Sequence, residues 1–315
     1  MSLLLETPSG NYILSKELGS GGSCICYQGF FSTDISQRKF AFKLFEEKNK
    51  KYFDKELTIS QHLNSNDFLQ TYKHGIAFIS NLNKNTPKND KKKVYFLVQE
   101  LAENGELFDY VYILKRPFSE KISSKILFKV ANSIKFLHSQ NIAHCDIKPE
   151  NILITSNFEL KLIDFGYSHK FPDNAKNSKL YISQGTDIYC SPESNKPSLG
   201  YDPFKHDVFS FGVLAFVLTM GRFPFSNTNF YDIHYRNIMA KDYKKFWSDF
   251  EKYRISEEFK DFINKLICYN CDDRMNFEEI IAHPWMRKYQ MNEKEGNKII
   301  VDELKMRKKE MIFKQ

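Results

Sequence analysis

The sequence lacks the features that mark exported and membrane-spanning proteins. Its longest nearly unbroken apolar stretch, Val208–Met220, is too short to cross a bilayer and is typical of a buried core helix. The N-terminal segment, MSLLLETPSG, contains no basic region followed by an apolar core, so it does not resemble a secretory signal. We therefore expect a cytoplasmic location, with a nuclear one as the alternative, and no membrane partner.

Cysteines are few, and their arrangement does not predict a metal centre. Six occur in the chain, and without an export signal they are expected to stay reduced. Cys268 and Cys271 have the CxxC spacing of zinc sites, but no second pair or histidine lies at ligand spacing. Structural thiols are the favoured interpretation of this pair.

Positive charge is not concentrated in one region. The net charge is +7, and the basic residues are spread along the chain with clusters mainly near 84–93 and 305–309. Such a balance favours acidic partners in general and does not require nucleic acid. No RNA- or DNA-binding motif is present, so we expect no nucleic-acid partner.

The sequence does contain a clear change of character after its first third. From Tyr12 to Phe45, short β-prone runs are separated by Gly, Ser and Asp, which predicts a hairpin-rich sheet. Residues 49–63 switch to helical spacing, and two more strands are expected at 69–79 and 94–100. The polar segment 81–93 between those strands predicts an exposed, mobile loop.

Helical patterns dominate after Asn104-Gly105. They occur near 106–113, 120–140, 207–220, 230–240, 256–268 and 277–282, with two short β-like segments at 152–155 and 159–163. A β-rich first third followed by a helical remainder predicts an α+β protein of two lobes that share a cleft.

Two motifs in the β-rich part point to phosphate binding, and each is weak alone. In Leu18–Cys26 (LGSGGSCIC), glycines allow the backbone to approach a phosphate, although such a turn is often only a hairpin. Lys43 ends the apolar run FAFK and needs an acidic partner, which Glu56 on the following helix could provide. A surface salt bridge on an edge strand explains this pair equally well.

The third motif decides the chemistry. His144–Asn151 (HCDIKPEN) is followed thirteen residues later by Asp164-Phe165-Gly166. Asp146 can accept a proton from a hydroxyl, and Lys148 can neutralise a migrating phosphoryl group. Asn151 and Asp164 offer the hard oxygen ligands that Mg²⁺ prefers beside phosphate. Chance occurrence of these residues at this spacing is very improbable.

These motifs resemble the protein kinase family, in the style of the calcium/calmodulin-dependent-like kinases. The resemblance runs from Tyr12 to Met286 and includes Gly185–Glu193, Asp207–Gly212, Arg274 and His283–Met286. It implies a small β-rich N-lobe with one main helix (about 12–102) and a larger, mostly helical C-lobe (about 103–286). Residues 287–315 then form a C-terminal basic helical tail.

The resemblance also implies a role for each site residue. Lys43, held by Glu56, contacts the ATP phosphates; Asp146 orients and deprotonates the substrate hydroxyl with Lys148 beside the γ-phosphate. Asn151 and Asp164 bind Mg²⁺. The remaining nucleotide contacts are Leu18, Gly19, Gly21, Gly22, Cys26, Ala41, the gatekeeper Gln99, the hinge residues Glu100 and Ala102, and Leu153. Lys148 together with Gly185-Thr186 implies Ser/Thr substrates, and Glu193 should pair with Arg274.

The chain departs from the family pattern at three places. Cys24 replaces the third glycine, and Cys26 replaces the usual valine over adenine. Cys145 stands where many kinases have an arginine that pairs with a phosphorylated activation segment. Our hypothesis is that activity does not depend on such phosphorylation, so loss of activity after phosphatase treatment would contradict it. Ser60 replaces an apolar residue expected to stack with Phe165, together with Tyr72.

Substrate preference and the tail are less strongly indicated. Glu106 and Glu150 match positions that meet basic residues before the phosphosite, which predicts a preference for Arg or Lys three residues upstream. The tail has the pattern of a basic amphipathic helix, with apolar residues Ile299, Ile300, Leu304, Met311 and Ile312. Such helices include calmodulin targets and autoinhibitory segments, and more often surface helices docked on their own domain.

Two alternatives remain open. A pseudokinase would have lost Lys43, Asp146, Asn151 or Asp164, and all four are present. A small-molecule kinase of similar fold would not need the protein-substrate platform that Gly185–Glu193 resembles. We therefore predict an active, monomeric Ser/Thr protein kinase that uses ATP and Mg²⁺.

Overall fold

The structure, a computed structural model, describes residues 2–63, 65–81, 91–172 and 178–314. The chain divides into two units. The first comprises Met1–Glu103 and Ile163–Gly166, and the second comprises Asn104–Leu162 and Tyr167–Gln315. Strands dominate the first unit and helices the second, which confirms the predicted α+β class.

The first unit is built on an antiparallel barrel against which the helix α1 (Lys50–Ser60) packs. Its strands are β1 (Leu3–Thr7), β2 (Gly10–Ser20), β3 (Ile25–Phe31), β4 (Phe40–Glu46), β5 (Thr71–Asn81) and β6 (Lys92–Gln99). Their order is β1-β2-β3-β4-β6-β5, and β1 pairs with both β2 and β5 to close the barrel. Sequence analysis missed β1, which precedes Tyr12.

Alternation along β4 divides its side chains between two environments. Phe42 and Leu44 are buried in the barrel interior, whereas Phe45 packs with Phe53 of α1. Successive residues of a strand point to opposite faces, so Lys43 shares the face of Phe45 and points towards α1. The alternation of side chains along β4 therefore directs Lys43 towards the ion pair described below.

The second unit is mostly helical. Its helices are α2 (Leu107–Tyr112), α3 (Glu120–Ser139), α4 (Pro203–Met220), α5 (Ile233–Met239), α6 (Tyr243–Ser248), α7 (Glu257–Leu266), α8 (Phe277–Ala282), α9 (Pro284–Lys288) and α10 (Glu293–Lys314). The described part of this unit also contains four short strands: β7 (Ile142–Ala143), β8 (Ile152–Ile154), β9 (Leu160–Leu162) and β10 (His169–Lys170), paired β7 with β10 and β8 with β9.

Side-chain caps fix where the main helices begin. Ser119 accepts a hydrogen bond from the Ile122 N–H at the start of α3. Asp202 accepts from two N–H groups at the start of α4, whose first residue is proline. Caps of this kind satisfy amide groups that have no partner within the helix. The apolar run predicted as a core helix lies in α4, which is buried along nearly its whole length.

The tail forms a long helix that packs on its own unit. α10 contacts α2 and α3 and buries Ile300, Leu304 and Met311, while Ile312 is exposed. Within the described ranges, none of the helices has the length and apolar character that crossing a membrane requires. The predicted loop 81–93 falls mainly outside the described residues, as does part of the segment 167–185.

Candidate active site

The glycine-rich motif forms the turn between β2 and β3. The Gly21 N–H donates to the Cys24 carbonyl (2.9 Å), and a Cβ atom at Gly19, Gly21 or Gly22 would meet no other atom within 4 Å. The turn is therefore open to a ligand. Asn49, just before α1, donates from its side-chain amide to the Ser23 carbonyl (2.8 Å). Sequence analysis missed this contact, because no local signal joins residues 26 positions apart.

Lys43, one of the predicted nucleotide ligands, is buried beside two carboxylates. It is 8% exposed, and its Nζ lies 2.7 Å from both carboxylate oxygens of Glu56 and 3.6 Å from Asp164 Oδ1. Burial by itself would lower the pKa of Lys43, but the two carboxylates outweigh burial and hold that pKa well above 10.5. The pair is buried, so the alternative of a surface salt bridge is excluded.

Asp164 and its neighbours have a constrained backbone. Asp164 has φ of +66°, a left-handed conformation that is uncommon for residues other than glycine and often marks a functional site. Phe165 is buried, and its ring lies 5.9 Å from that of Phe68. Tyr72, which was expected to stack with Phe165, instead packs edge-on against Phe40 and is 39% exposed. That expectation was wrong because the β5–β6 register shifts between Thr71 and Lys73.

The gatekeeper position is the last residue of β6, and the hinge positions follow that strand. Gln99 is buried, and its side-chain amide donates to Thr71 Oγ1 (3.2 Å). The Glu100 N–H donates to the Gln70 carbonyl (3.0 Å), so an adenine contact by Glu100 would have to use its carbonyl. Ala41 pairs with Gln99 across the strands, and Ala102 is half-buried.

The pKa values of the two cysteines in the glycine-rich segment are shifted in opposite directions. A hydrogen bond between the thiols lowers the pKa of Cys24, and the same bond together with burial raises the pKa of Cys26. Cys26 therefore stays a protonated thiol, which is a weak nucleophile. It serves here as a small apolar group next to Lys43 in the β3–β4 pairing.

In the second unit, Asp207 of α4 holds the segment that precedes Asp146. Its carboxylate accepts the backbone N–H groups of His144 and Cys145, each at 2.8 Å, and also binds His138 Nε2 at 2.9 Å. Cys145 has φ of +62° and is fully buried. A buried carboxylate with these donors fixes a strained turn, and this turn sets the position of Asp146.

Asp146 is the centre of a closed hydrogen-bond network. It is 3% exposed, and its Oδ2 accepts from Asn151 Nδ2 (2.9 Å) and lies 2.9 Å from Lys148 Nζ. Its Oδ1 accepts from Thr186 Oγ1 (2.8 Å), and Thr186 in turn accepts from Lys148 Nζ (2.6 Å). The predicted catalytic residues Asp146 and Lys148 are thus brought together with Asn151. Thr186 bonds to both Asp146 and Lys148. Sequence analysis used this residue only to infer the type of substrate and missed these bonds.

The chain that follows Asp164 packs against the turn before Asp146 through apolar side chains. The sequence offers no arginine at this turn that could pair with a phosphorylated residue, because Cys145 occupies its position. Cys145 packs with Leu180 and Tyr201 in a buried cluster, and Leu180 and Tyr201 also form a backbone bridge. Gly185 has φ of +98°, and a Cβ atom there would lie 2.7 Å from the Cys145 carbonyl. Only glycine permits this close approach.

Three acidic residues lie near one another beside α2. Burial raises the pKa of Glu106, as do the negative charges of Asp109 and Glu150. Burial also raises the pKa of Glu150, whose Oε2 is buried without a hydrogen-bond partner among the described residues. Glu106 also bridges to Leu153 of β8, the predicted adenine contact. The charges of Lys148 and Lys308 offset these shifts only in part, so the group is suited to a cationic ligand.

Asn151 in the second unit and Asp164 in the first each have the chemistry of a magnesium ligand. In the described ranges no three His, Cys, Asp or Glu side chains converge on one point. Mg²⁺ does not need such a cage, because it uses one or two protein ligands together with water and phosphate oxygens. The Asn151 amide group donates both its bonds to Asp146, which leaves its oxygen as an acceptor, and the Asp164 carboxylate is partly exposed.

The structure thus distributes the predicted site residues over both units. The first unit carries those from Leu18 to Ala102 together with Asp164, and the second carries Asp146, Lys148, Asn151 and Leu153. The predicted Glu193–Arg274 pair also forms within the second unit, with guanidinium-to-carboxylate distances of 2.6 and 2.8 Å.

Comparisons with known proteins agree with this geometry. The protein kinase domain family matches residues 12–286. The chain is 32% identical to the Aurora kinase of Schizosaccharomyces pombe over 78% of its own length and 62% of that protein. It is 35% identical to CBL-interacting serine/threonine-protein kinase 7 of Arabidopsis thaliana over 63% of its length and 44% of that protein.

A further relative is similar along most of its length. Myosin light chain kinase A of Dictyostelium discoideum is 29% identical over 89% of this chain and 90% of that protein. The chain therefore spans less than two thirds of some relatives and nearly all of another. With the matched domain covering most of its residues, the chain belongs to the protein kinase family, on its serine/threonine side.

Proposed function

We propose that this chain is an active Ser/Thr protein kinase that transfers the γ-phosphate of ATP to hydroxyl groups of protein substrates. The observation that carries the proposal is the network around Asp146, in which one carboxylate meets Lys148, Asn151 and Thr186 at 2.8–2.9 Å. A binding scaffold has no need of a buried carboxylate held at both oxygens next to a lysine. The intact Lys43–Glu56 pair supports the same conclusion.

The roles of the side chains follow from their chemistry. Asp146 orients the substrate hydroxyl and takes its proton, while Lys148 lowers the negative charge on the transferred group. Lys43 neutralises phosphate charge, and Glu56 keeps its ammonium group in place. Asn151 and Asp164 are the residues that would hold Mg²⁺, which supplies further charge neutralisation when bound.

We propose that the acidic group Glu106, Asp109 and Glu150 recognises a basic residue upstream of the phosphosite. Burial raises the pKa of all three carboxyl groups, and the charges of Asp109 and Glu150 raise that of Glu106 further, so a substrate Arg or Lys would relieve this repulsion. The apolar cluster around Cys145 supports activity without activation-segment phosphorylation. A monomeric, cytoplasmic protein remains our expectation.

A regulatory role of the tail is a second proposal. One relative is named a CBL-interacting kinase and another a calcium-dependent kinase, and these names are the support for regulation of this chain by calcium. Against a calmodulin target stands the burial of Ile300, Leu304 and Met311 on the second unit. Calcium-dependent binding of calmodulin to the full chain would support the regulatory role, and absence of binding would count against it.

The proposed activity is tested by phosphate transfer from ATP·Mg²⁺ to a generic basic protein. Asp146→Asn should lower the rate about 10²- to 10⁴-fold, because the amide cannot accept the hydroxyl proton. Asp302→Asn, an exposed position on α10, is the matched control and should leave the rate unchanged. Equal activity of wild type and Asp146→Asn, at equal thermal stability, would contradict the proposed role of Asp146.

A further inference from the structure

The C-terminal helix holds a buried arginine that no kinase motif accounts for. Arg307 is 2% exposed, although it lies in a segment whose neighbours Lys305, Met306 and Lys309 are exposed. Long charged side chains are rarely buried unless their donors are satisfied. The partners of Arg307 therefore show which part of the second unit the helix is built to hold.

Those partners are backbone carbonyls at the end of α2. The Arg307 guanidinium donates to the carbonyls of Tyr110 (2.9 Å), Arg116 (2.6 Å) and Pro117 (2.7 Å). Its plane lies over the Phe118 ring, 3.9 Å from the ring centroid. α2 ends at Tyr112, and the last carbonyls of a helix lack partners within it. Arg307 satisfies one of these carbonyls and two in the turn that follows.

Other contacts orient Arg307 and reach the opposite end of α2. Glu303, one turn earlier on α10, accepts from Arg307 Nε at 2.7 Å and so fixes the guanidinium plane. Lys308 donates to the carbonyl of Asn104 (3.3 Å), which also accepts from the Tyr110 hydroxyl (3.1 Å). Adjacent residues of α10 therefore contact the chain both before and after α2.

α2 positions two of the three acidic residues that we assign to substrate recognition. Glu106 directly precedes α2, and Asp109 lies in its first turn. Burial raises the pKa of Asp109, while the charge of Lys308 opposes that effect. Any change in the position of α2 would move these carboxylates relative to a substrate side chain.

We propose that Arg307 is a positioning residue. Through Arg307, α10 holds α2 in a fixed position, and the position of α2 sets the preference for basic substrates. This inference rests on the proposed kinase function. It differs from an autoinhibitory role, in which weakening the tail would raise activity. If α10 instead holds α2 in position, weakening the tail should reduce discrimination between substrates and should not raise activity.

The test compares two peptides in the full chain, one with Arg three residues before the target Ser and one with Ala there. Arg307→Ala should lower the ratio of kcat/KM for the two peptides by about two- to fivefold, as expected for loss of a partly exposed ion pair. The ratio cancels any loss of folded enzyme, which lowers both values equally. Lys309→Ala, exposed on the same helix, is the control and should keep the wild-type ratio.

A milder variant and a second readout cover the case in which Arg307→Ala does not fold. Arg307→Lys keeps the charge but lacks the planar fork, so it cannot serve three carbonyls and Glu303 together. It should lower the ratio less and should speed amide hydrogen exchange in residues 107–118, whereas Lys309→Ala should not.

The outcomes separate this inference from the proposed function. A wild type without phosphate transfer, or with a ratio of one, would overturn the proposed specificity and this inference together. A wild type that prefers the basic peptide, with ratio and exchange unchanged in both Arg307 variants, would overturn the inference alone. A rise in activity with either variant would likewise overturn it and favour autoinhibition.

Discussion

Two buried ion pairs, one in each unit, use the same charges for different purposes. In the second unit, the Arg274 guanidinium makes two bonds to Glu193 and donates to the carbonyls of Cys268, Lys205 and Tyr269. In the first unit, Lys43 makes both its short contacts to Glu56 and has Asp164 at 3.6 Å.

The difference lies in what each cation has left to offer. All the donor groups of Arg274 are used inside the protein, so the pair can only stabilise the fold. The ammonium group of Lys43 is held by one carboxylate and lies near a second that is partly exposed, so it can still meet an external anion. A fully satisfied pair indicates structure, and an incompletely satisfied one indicates function.

The largest expected effect comes from breaking the structural pair. Arg274→Leu leaves the Glu193 carboxylate, which is 22% exposed, without its partner and should lower the free energy of unfolding by about 3 kcal/mol, the low end for a buried pair. Urea unfolding measures the loss, with the exposed Arg287→Leu as control. If the double variant Arg274→Leu/Glu193→Leu were no more stable than Arg274→Leu, the stranded charge would not be the cause.

The functional pair should show the reverse pattern. Lys43→Met should lower kcat/KM about 10²- to 10³-fold, the usual effect of removing one electrostatic stabiliser of the transition state. It should destabilise the fold less than Arg274→Leu, because buried Glu56 can take up a proton. Rates and melting temperatures of Lys43→Met and the exposed Lys16→Met measure both effects. Similar stability losses for Lys43→Met and Arg274→Leu would remove the distinction between the pairs.

The smallest effect is a dependence on pH. Burial by itself would raise the pKa of Glu193, but the hydrogen bonds and charge of Arg274 prevail and lower it below its usual 4.5. The pair therefore contributes stability above pH 4.5 that is lost as pH falls through the lower folded pKa. Wild type should lose stability more steeply than Glu193→Gln in urea unfolding below that pH. Parallel curves would show that Glu193 titrates alike in the folded and unfolded chain.

Much of the fold could be read from local patterns. The helical spacing of residues 49–63 and 120–140 corresponds to α1 and α3, and the apolar run to α4. β1 escaped prediction although it forms a local hairpin with β2, and its second partner, β5, lies more than sixty residues away along the chain. Tyr72 was misplaced because a register shift in a strand is not encoded by any single residue.

The candidate site shows the same division. Motif spacing identified Asp146, Lys148 and Asn151, which lie close together in sequence. The contacts made by Asn49 and the side chain of Thr186 join residues 26 and 40 positions apart, so only folding reveals them. The tail is the clearest case: its apolar spacing predicted a helix, but not that Arg307 would be its buried anchor.

The sequence by itself determined the family and pointed to the groups that we propose carry its chemistry, since residue types at short, fixed spacings need no distant partner to be recognised. Tertiary structure alone decided which charges are satisfied, which turns are strained and where the last helix packs. These properties depend on burial and on hydrogen-bond partners contributed by remote segments. The sequence shows which residues are charged, but not whether their hydrogen-bond donors are already used within the fold.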